Sequence, residues 1–312
     1  MLFSRSGHSA TLLPGGHVLI VGGYDGDAYD TGVPMLTDAE DYDPSTGSFT
    51  SAGRLLYLRE GHTATLLPDG TVLIAGGSNQ TADAELYIPP LRAASSAGLS
   101  GSLAPDSLAS LFGSRLATIT ASADPLSAPT SLGGISLRLV DSVGVARLVP
   151  LLYVSPTQIN FRVPAGTATG NVTLEVVNAP AQPAKASAQA NPIAPGLFAY
   201  DDNTAIAYAL RFEPNGKQTV LSVRNTIVLD DRPVYLILYA TGIRNRSSVA
   251  NVRCTIGGIS IPVEYAGPEG SGVPGLDQVN LRLTQALKGL GVADLALSVD
   301  GVSSNTVSID VR

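Results

Sequence analysis

Tryptophan is absent from this 312-residue sequence, methionine occurs twice, histidine three times and cysteine once. A single thiol, Cys254, cannot close a disulfide within the chain, and a chain of this length has room for two or three domains whose cores can stand without one. Cys254 sits in the strand-like stretch Val252-Arg253-Cys254-Thr255-Ile256, where it reads as a small core residue rather than a nucleophile. Charge is scarce as well, at 14% of residues, and its net value of −7 repels phosphate backbones, so nucleic acid is set aside as a partner. No apolar run approaches the roughly 20 residues that a membrane-spanning helix needs; Val234 to Ala240 has the length of a strand. A serine elbow of the G-x-S-x-G type, an H-E-x-x-H pair, a phosphate loop and a dinucleotide fingerprint are all missing. No basic segment followed by an apolar one opens the sequence. The expectation is either an internal protein or the tail of a longer exported chain.

What is abundant is glycine and proline, 33 and 21 residues, which with so little charge predicts many short strands joined by turns. One passage is written twice. Arg5-Ser6-Gly7-His8-Ser9-Ala10-Thr11-Leu12-Leu13-Pro14 returns as Arg59-Glu60-Gly61-His62-Thr63-Ala64-Thr65-Leu66-Leu67-Pro68, and Val18-Leu19-Ile20-Val21-Gly22-Gly23 returns as Val72-Leu73-Ile74-Ala75-Gly76-Gly77. Pro-Gly-Gly and Pro-Asp-Gly supply the turn between two strands in each copy, and a third strand is expected at Ala39–Pro44 and Ala84–Pro89. A fourth follows Phe49 in the first copy and has no counterpart after Pro90 in the second, while the first copy carries extra residues between Tyr24 and Asp38. The wording and the spacing from His8 to His62 resemble the kelch repeat, one blade of a β-propeller. About two blades are present, and a propeller closes with roughly four to eight.

From Leu91 the vocabulary changes. Ala93 to Ser102 is small and reads as a linker. Beyond it, Leu132-Gly133-Gly134-Ile135-Ser136 matches Ile256-Gly257-Gly258-Ile259-Ser260, Gln158-Ile159-Asn160-Phe161-Arg162-Val163 matches Gln278-Val279-Asn280-Leu281-Arg282-Leu283, and Ser110–Gly113 pairs with Tyr239–Gly242. Two copies of one strand-rich unit predict tandem β-sandwiches, with Ile159, Phe161 and Val163 facing inward. The Pro/Ala stretch Ala179–Ala186 marks their boundary, an extra hairpin turns at Pro214-Asn215-Gly216, and Asp300-Gly301 turns before the last strand, whose Val307, Ile309 and Val311 share a face. The expected fold is therefore all-β: residues 1–92 a partial kelch propeller of about two blades, 93–185 a first immunoglobulin-like sandwich, and 186–312 a second with an inserted hairpin.

The stretch from about Leu103 to Arg312 resembles an uncharacterised C-terminal domain family of large predicted secreted proteins from soil bacteria. The match is carried by Leu103–Gly113, Leu151–Phe161, Ala194-Pro195-Gly196-Leu197-Phe198, Leu238-Tyr239-Ala240-Thr241-Gly242 and Gly301–Val307. The resemblance implies sandwiches of the immunoglobulin-like IPT/TIG type, at the tail of an extracellular or cell-surface protein whose export signal is not in this sequence. It brings no activity and no catalytic residues.

A propeller followed by an immunoglobulin-like domain also resembles galactose oxidase and its radical-copper relatives. That chemistry draws on two tyrosines, two histidines and a cysteine joined to one tyrosine. Here His8, His17 and His62 all precede residue 63 and Cys254 lies far beyond, so the alternative is a degenerate relative of such copper enzymes. Asp25, Asp27 and Asp30, followed by Asp38, Glu40, Asp41 and Asp43, could offer Ca²⁺ its six to eight oxygens without the spacing of an EF-hand. Glu40 and Glu85 match between the repeats, which assigns that position a structural role. The polar row Gln158/Asn160/Arg162, repeated at Gln278/Asn280/Arg282, reads as the outer or interdomain face of a half-buried sheet. The function expected is a non-catalytic binding or scaffold module with no cofactor and no membrane span. A protein or glycan would be its ligand, met by loops on a rigid scaffold, and the unfinished propeller offers a surface for self-association.

Overall fold

Each repeated passage folds into an antiparallel hairpin followed by a third strand. The computed structural model describes residues 1–25, 35–77, 83–178 and 185–312. Its first sheet runs in the order β1 (Ser9–Leu12), β2 (Val18–Val21), β3 (Asp38–Asp43) and β4 (Ser48–Arg54); the second runs β5 (Thr63–Leu66), β6 (Val72–Ala75) and β7 (Ala84–Tyr87). The registers coincide: Ser9 pairs with Val21 as Thr63 pairs with Ala75, and Val18 with Tyr42 as Val72 with Tyr87. Among the described residues the second sheet has three strands and no counterpart of β4.

Glu40 and Glu85 carry the structural role their repetition implies. Arg5 is paired with Glu40, whose Oε2 accepts the amide of Leu2 at 2.7 Å, and Arg5 Nη1 donates to the carbonyls of Gly22 and Asp38. Arg59 repeats the arrangement with Glu85 at 3.1 Å, the amide of Leu56, and the carbonyls of Gly76 and Asp83. Both pairs are buried, so each charge needs its partner and its backbone bonds to offset desolvation. Around them Leu19, Val21, Ala39, Leu55, Val72, Ile74 and Tyr87 form the small core shared by the two sheets. The Tyr87 hydroxyl donates to the carbonyl of Ala52, and burial, assisted by the charge of Asp41, pushes its pKa up to about 12.

Two larger bodies follow, each made of two sheets around one core. In the first, the strands Ala121–Ser122, Leu151–Val154, Gln158–Arg162, Leu108–Phe112 and Arg92–Ser95 make one sheet. The strands Ala146–Leu148, Ser136–Val140, Gly170–Val177, Lys185–Ala190 and Ser102–Leu103 make the other. Phe161, Leu137, Leu139, Ile159 and Leu174 lie in the core between them. In the second body, Val234–Thr241 is flanked by Ala207–Phe212 and Asp277–Arg282 in one sheet, and Val252–Ile256 and Val307–Val311 flank Gly291–Val299 in the other. Cys254 is fully buried in this core, which raises its thiol to about 12.

Two expectations change. Ala93 to Ser102 is not a free linker: Arg92–Ser95 is an edge strand, and Ala93, Ala94, Ser95 and Ala97 are buried. Small side chains serve there because backbones come close, as at Gly196, where a Cβ would lie 2.3 Å from the carbonyl oxygen of Ala97. The expected boundary at residues 185 and 186 falls inside a strand of the first body. Lys185–Ala190 pairs with Gly170–Val177, and Ala186 and Ala190 face the first core, so the chain crosses over only beyond Ala190; residues 179–184 lie outside the described residues. The hairpin expected to turn at Pro214–Gly216 is present, with Ala207–Phe212 paired to Gln218–Ser222 on one side and to the central Val234–Thr241 on the other. No helix among the described residues is long and apolar enough to cross a membrane.

Candidate functional site

The first sheet and the first two-sheet body meet along a cleft of about 310 Å³. Its apolar lining includes Leu13, Leu19, Pro89, Leu91 and Phe112; its polar lining is His17, Asp41, Asp43, Arg92 and Ser187. Local pairing explains the first three. His17 closes the Pro14-Gly15-Gly16 turn, where its carbonyl accepts the Leu13 amide at 2.8 Å. Because Val18 is registered against Tyr42, His17 falls opposite Asp43 with Asp41 on the diagonal. Its Nδ1 stands 2.6 Å from Asp41 Oδ2 and its Nε2 3.5 Å from Asp43 Oδ1, so the ring is clasped between two carboxylates.

Arg92 arrives from the neighbouring body. Its guanidinium donates to the carbonyls of Gly15 and Leu99, tying the turn of the first sheet to the adjacent loop. Burial lowers the Arg92 pKa while Asp43 and Asp41 oppose the shift. Burial would raise the Asp43 carboxyl, but the hydroxyl and amide of Ser45, with the charges of His17 and Arg92, hold it below the ordinary carboxylate value. Gly15, at φ +88°, lies on Phe112, since a Cβ would come within 2.6 Å of the ring. Arg115 Nε donates to Asp69 Oδ2 at 2.9 Å and closes the joint on the other side. Two buried atoms in this cluster, His17 Nε2 and Asp41 Oδ1, have no hydrogen-bond partner among the described residues. The cleft thus combines an apolar floor with a held imidazole and two carboxylates, a lining suited to orienting a small ligand.

The acidic run is dispersed among other duties. Asp27 and Asp30 lie outside the described residues, and Asp25 is half-buried next to them. Asp38 binds Arg54, Glu40 binds Arg5, Asp41 binds His17 and Asp43 accepts from Ser45. Among the described residues no group of three His, Cys, Asp or Glu side chains is arranged to hold a metal ion. The three histidines part company: His17 sits between its carboxylates, His62 Nε2 meets Ser9 Oγ at 2.8 Å, and His8 is exposed.

The polar row is a ladder on the outer sheet face. Gln158 donates to Asn160, and Gln278 to Asn280, at 2.6 Å in both. Its end, Arg162, reaches the interdomain joint, where Arg244 bonds both Asp106 and the buried Asp277. Sequence reasoning missed the cleft because Arg92 joins it only through tertiary packing. The pairing of His17 with Asp43 was the available signal, since aligned repeats fix the register of β2 against β3.

No family model and no curated protein matches this chain. Among solved structures, one match is a fungal alcohol oxidase described as having catalytic diversity among the AA5 family, in complex with copper. It is 16% identical, with a TM-score of 0.25, over 61% of this chain and 43% of that one. The chain therefore spans less than half the length of that protein, and a superposition this loose assigns neither a fold nor a residue role.

Proposed function

We propose that this chain is a non-catalytic binding and scaffold module of an extracellular or cell-surface protein, built from two kelch-type blades and two immunoglobulin-like units, and that its cleft takes a glycan. The observation that carries the reading is the lining of the cleft. A sugar ring offers hydroxyl donors to Asp43 and C–H faces to Leu91, Pro89 and Phe112, the combination that a partly apolar pocket with a few fixed polar groups selects. Catalysis is disfavoured by the same geometry, because His17 Nε2 is buried and turned to a second carboxylate rather than to open space. The scaffold part rests on the joints, where Arg92, Arg115 and Arg244 cross from one body to the next.

The test is a glycan array read with the full chain and with Asp43→Asn, beside a peroxide-release assay on primary alcohols with added Cu(II). Binding that is lost in Asp43→Asn, without peroxide, supports the reading. Peroxide release, or glycan binding indifferent to Asp43, overturns it.

A further inference from the structure

The joint between the two N-terminal sheets is used once inside the chain, and each of its halves recurs at an outer face, the far half exposed along its strands and the near half exposed at His8. Within the joint, Gly23 donates its amide to the carbonyl of Arg59 at 2.9 Å, and Gly61 donates to the carbonyl of Gly7 at 2.8 Å. Ser9 Oγ meets His62 Nε2, and Gly22 lies so close to that ring that a Cβ would stand 2.7 Å from it. Burial, and then the charge of Arg59, hold His62 below the ordinary imidazole value, so a neutral ring makes this contact. Leu19, Val21 and Ala39 of the first sheet are sealed beneath the second.

The repeat places the same residue types at both outer faces. On the far side of the second sheet, Thr63 stands where Ser9 stands in the first, and Gly76 stands where Gly22 does. Thr63 is exposed, and a Cβ on Gly76 would meet nothing within 4 Å among the described residues. Leu73 and Ala84 occupy the positions of Leu19 and Ala39 but are half-buried and exposed respectively, and the neighbouring Leu86 is 51% exposed. On the near side of the first sheet, His8 stands where the buried His62 does and is exposed, while Ile20, in the place of Ile74, is 7% exposed. Each uncovered half fits the other and not itself, so a two-fold pairing of like faces does not satisfy them.

We infer that these faces are the two halves of one interface and that its occupant is a second copy of this chain, docked head to tail. In that joint His8 of the second copy meets Thr63 and Gly76 of the first, with Leu73 and Leu86 covered. Such heterologous contacts propagate: copies close into a ring if the rotation between them closes, and otherwise extend as a filament. The inference goes beyond glycan binding and does not depend on it.

Sedimentation equilibrium of the full chain up to about 100 µM tests it, with two exposed-face variants, Leu86→Lys and His8→Glu. Both positions are exposed, so neither change disturbs a core. The wild-type chain is expected to assemble, and each variant alone to associate at least about tenfold more weakly. An equimolar mixture of the two variants retains one intact far face and one intact near face, and is expected to stop at a 1:1 heterodimer. A wild-type chain that stays monomeric, variants that assemble as the wild type does, or a mixture that stays monomeric or grows beyond two copies overturns the proposal.

Discussion

The N-terminal sheets and the second two-sheet body hold themselves together by different means. Among the described residues the shared core of the N-terminal sheets has seven buried apolar side chains, and that of the second body has 28. The smaller core is supplemented by two buried Arg–Glu pairs, each bound to backbone groups from three segments, and by a neighbour on which it leans. The larger core adds one buried carboxylate, Asp277, at the end of the strand face that carries Val279 and Leu281, where Arg244 pairs with it at 2.9 Å. Specific polar links fix the geometry where apolar area is short, whereas a continuous sheet sandwich fixes it by packing.

The sharpest way to break this contrast is to remove one carboxylate. Glu85→Ala leaves Arg59, 1% exposed, without its counter-charge and the Leu56 amide without its acceptor. A loss of about 3–5 kcal/mol is expected for the N-terminal sheets. Hydrogen exchange should show faster exchange over β5 to β7 and unchanged protection over Gly291–Val299. The double change Arg59→Met with Glu85→Leu should recover part of the loss, because the apolar pair removes the unpaired charge while the Leu56 amide and the Gly76 and Asp83 carbonyls still lose their partners. If the second body loosens as much as the first sheets, the two regions are not independent and the contrast fails.

A smaller effect is expected at the support between the regions. Gly70 has φ +83°, and a Cβ there would lie 2.6 Å from the carbonyl oxygen of Gly113. Gly70→Ala combines backbone strain with that clash, at a cost of about 1–3 kcal/mol. Limited proteolysis should then cut near the joint while both two-sheet bodies remain resistant. Cleavage unchanged from the wild type would mean that the joint yields without cost.

Which of these features the sequence announced depends on what each residue is for. The hairpins of β1/β2 and β5/β6 were legible because their signals, Pro-Gly-Gly, Pro-Asp-Gly and the Gly pairs, are demands of the backbone itself. The Gln-x-Asn-x-Arg match is a true structural equivalence. Both strands carry the same side-chain ladder, and each neighbours a strand with a bulge at the same place, between Leu151 and Tyr153 and between Val263 and Tyr265. The pairing of Ser110 with Tyr239 was displaced by two residues, since Asn160 faces Ser110 and Asn280 faces Ile237; a shift of two keeps the same side-chain face.

The Gly-Gly match, in contrast, is not an equivalence. Gly133-Gly134 leads into Ser136–Val140, whereas Gly257-Gly258 follows Val252–Ile256, and those two strands hold the same place in their sheets. All four glycines have positive φ, so the motif reports a tight turn and not a position in the fold. The cleft was illegible for a further reason: Arg92 reaches the turn at Gly15 only after an edge strand has formed far from the first repeat.

Salt gives the mildest separation of the regions, and acid acts on both. The hydroxyl of Thr71, the Arg115 guanidinium and the Thr71 amide hold the Asp69 carboxyl down to about 2. Within the first two-sheet body, Arg147, outweighing burial, and the amides of Val145, Ala168 and Val143 hold Asp141 at about 2 as well. A carboxyl whose folded pKa lies below its unfolded one stabilises the fold above the unfolded value and stops doing so as pH falls through the folded one. For both residues the window therefore runs from the ordinary 3.8 down to about 2. The consequences differ, because Asp69 and Arg115 span a joint and are each more than a third exposed, while Asp141 holds its own loop with a buried side chain. Acidification through this window should raise proteolytic access at the joint and speed the exchange of Ser136–Val140 over the same pH range, so salt rather than acid separates the two. Raised salt should weaken the exposed Asp69–Arg115 link at neutral pH and leave the Asp141 loop intact. A joint as resistant to protease in high salt as in low would mean that the support between the regions rests on the close approach of Gly70 to Gly113 rather than on charge.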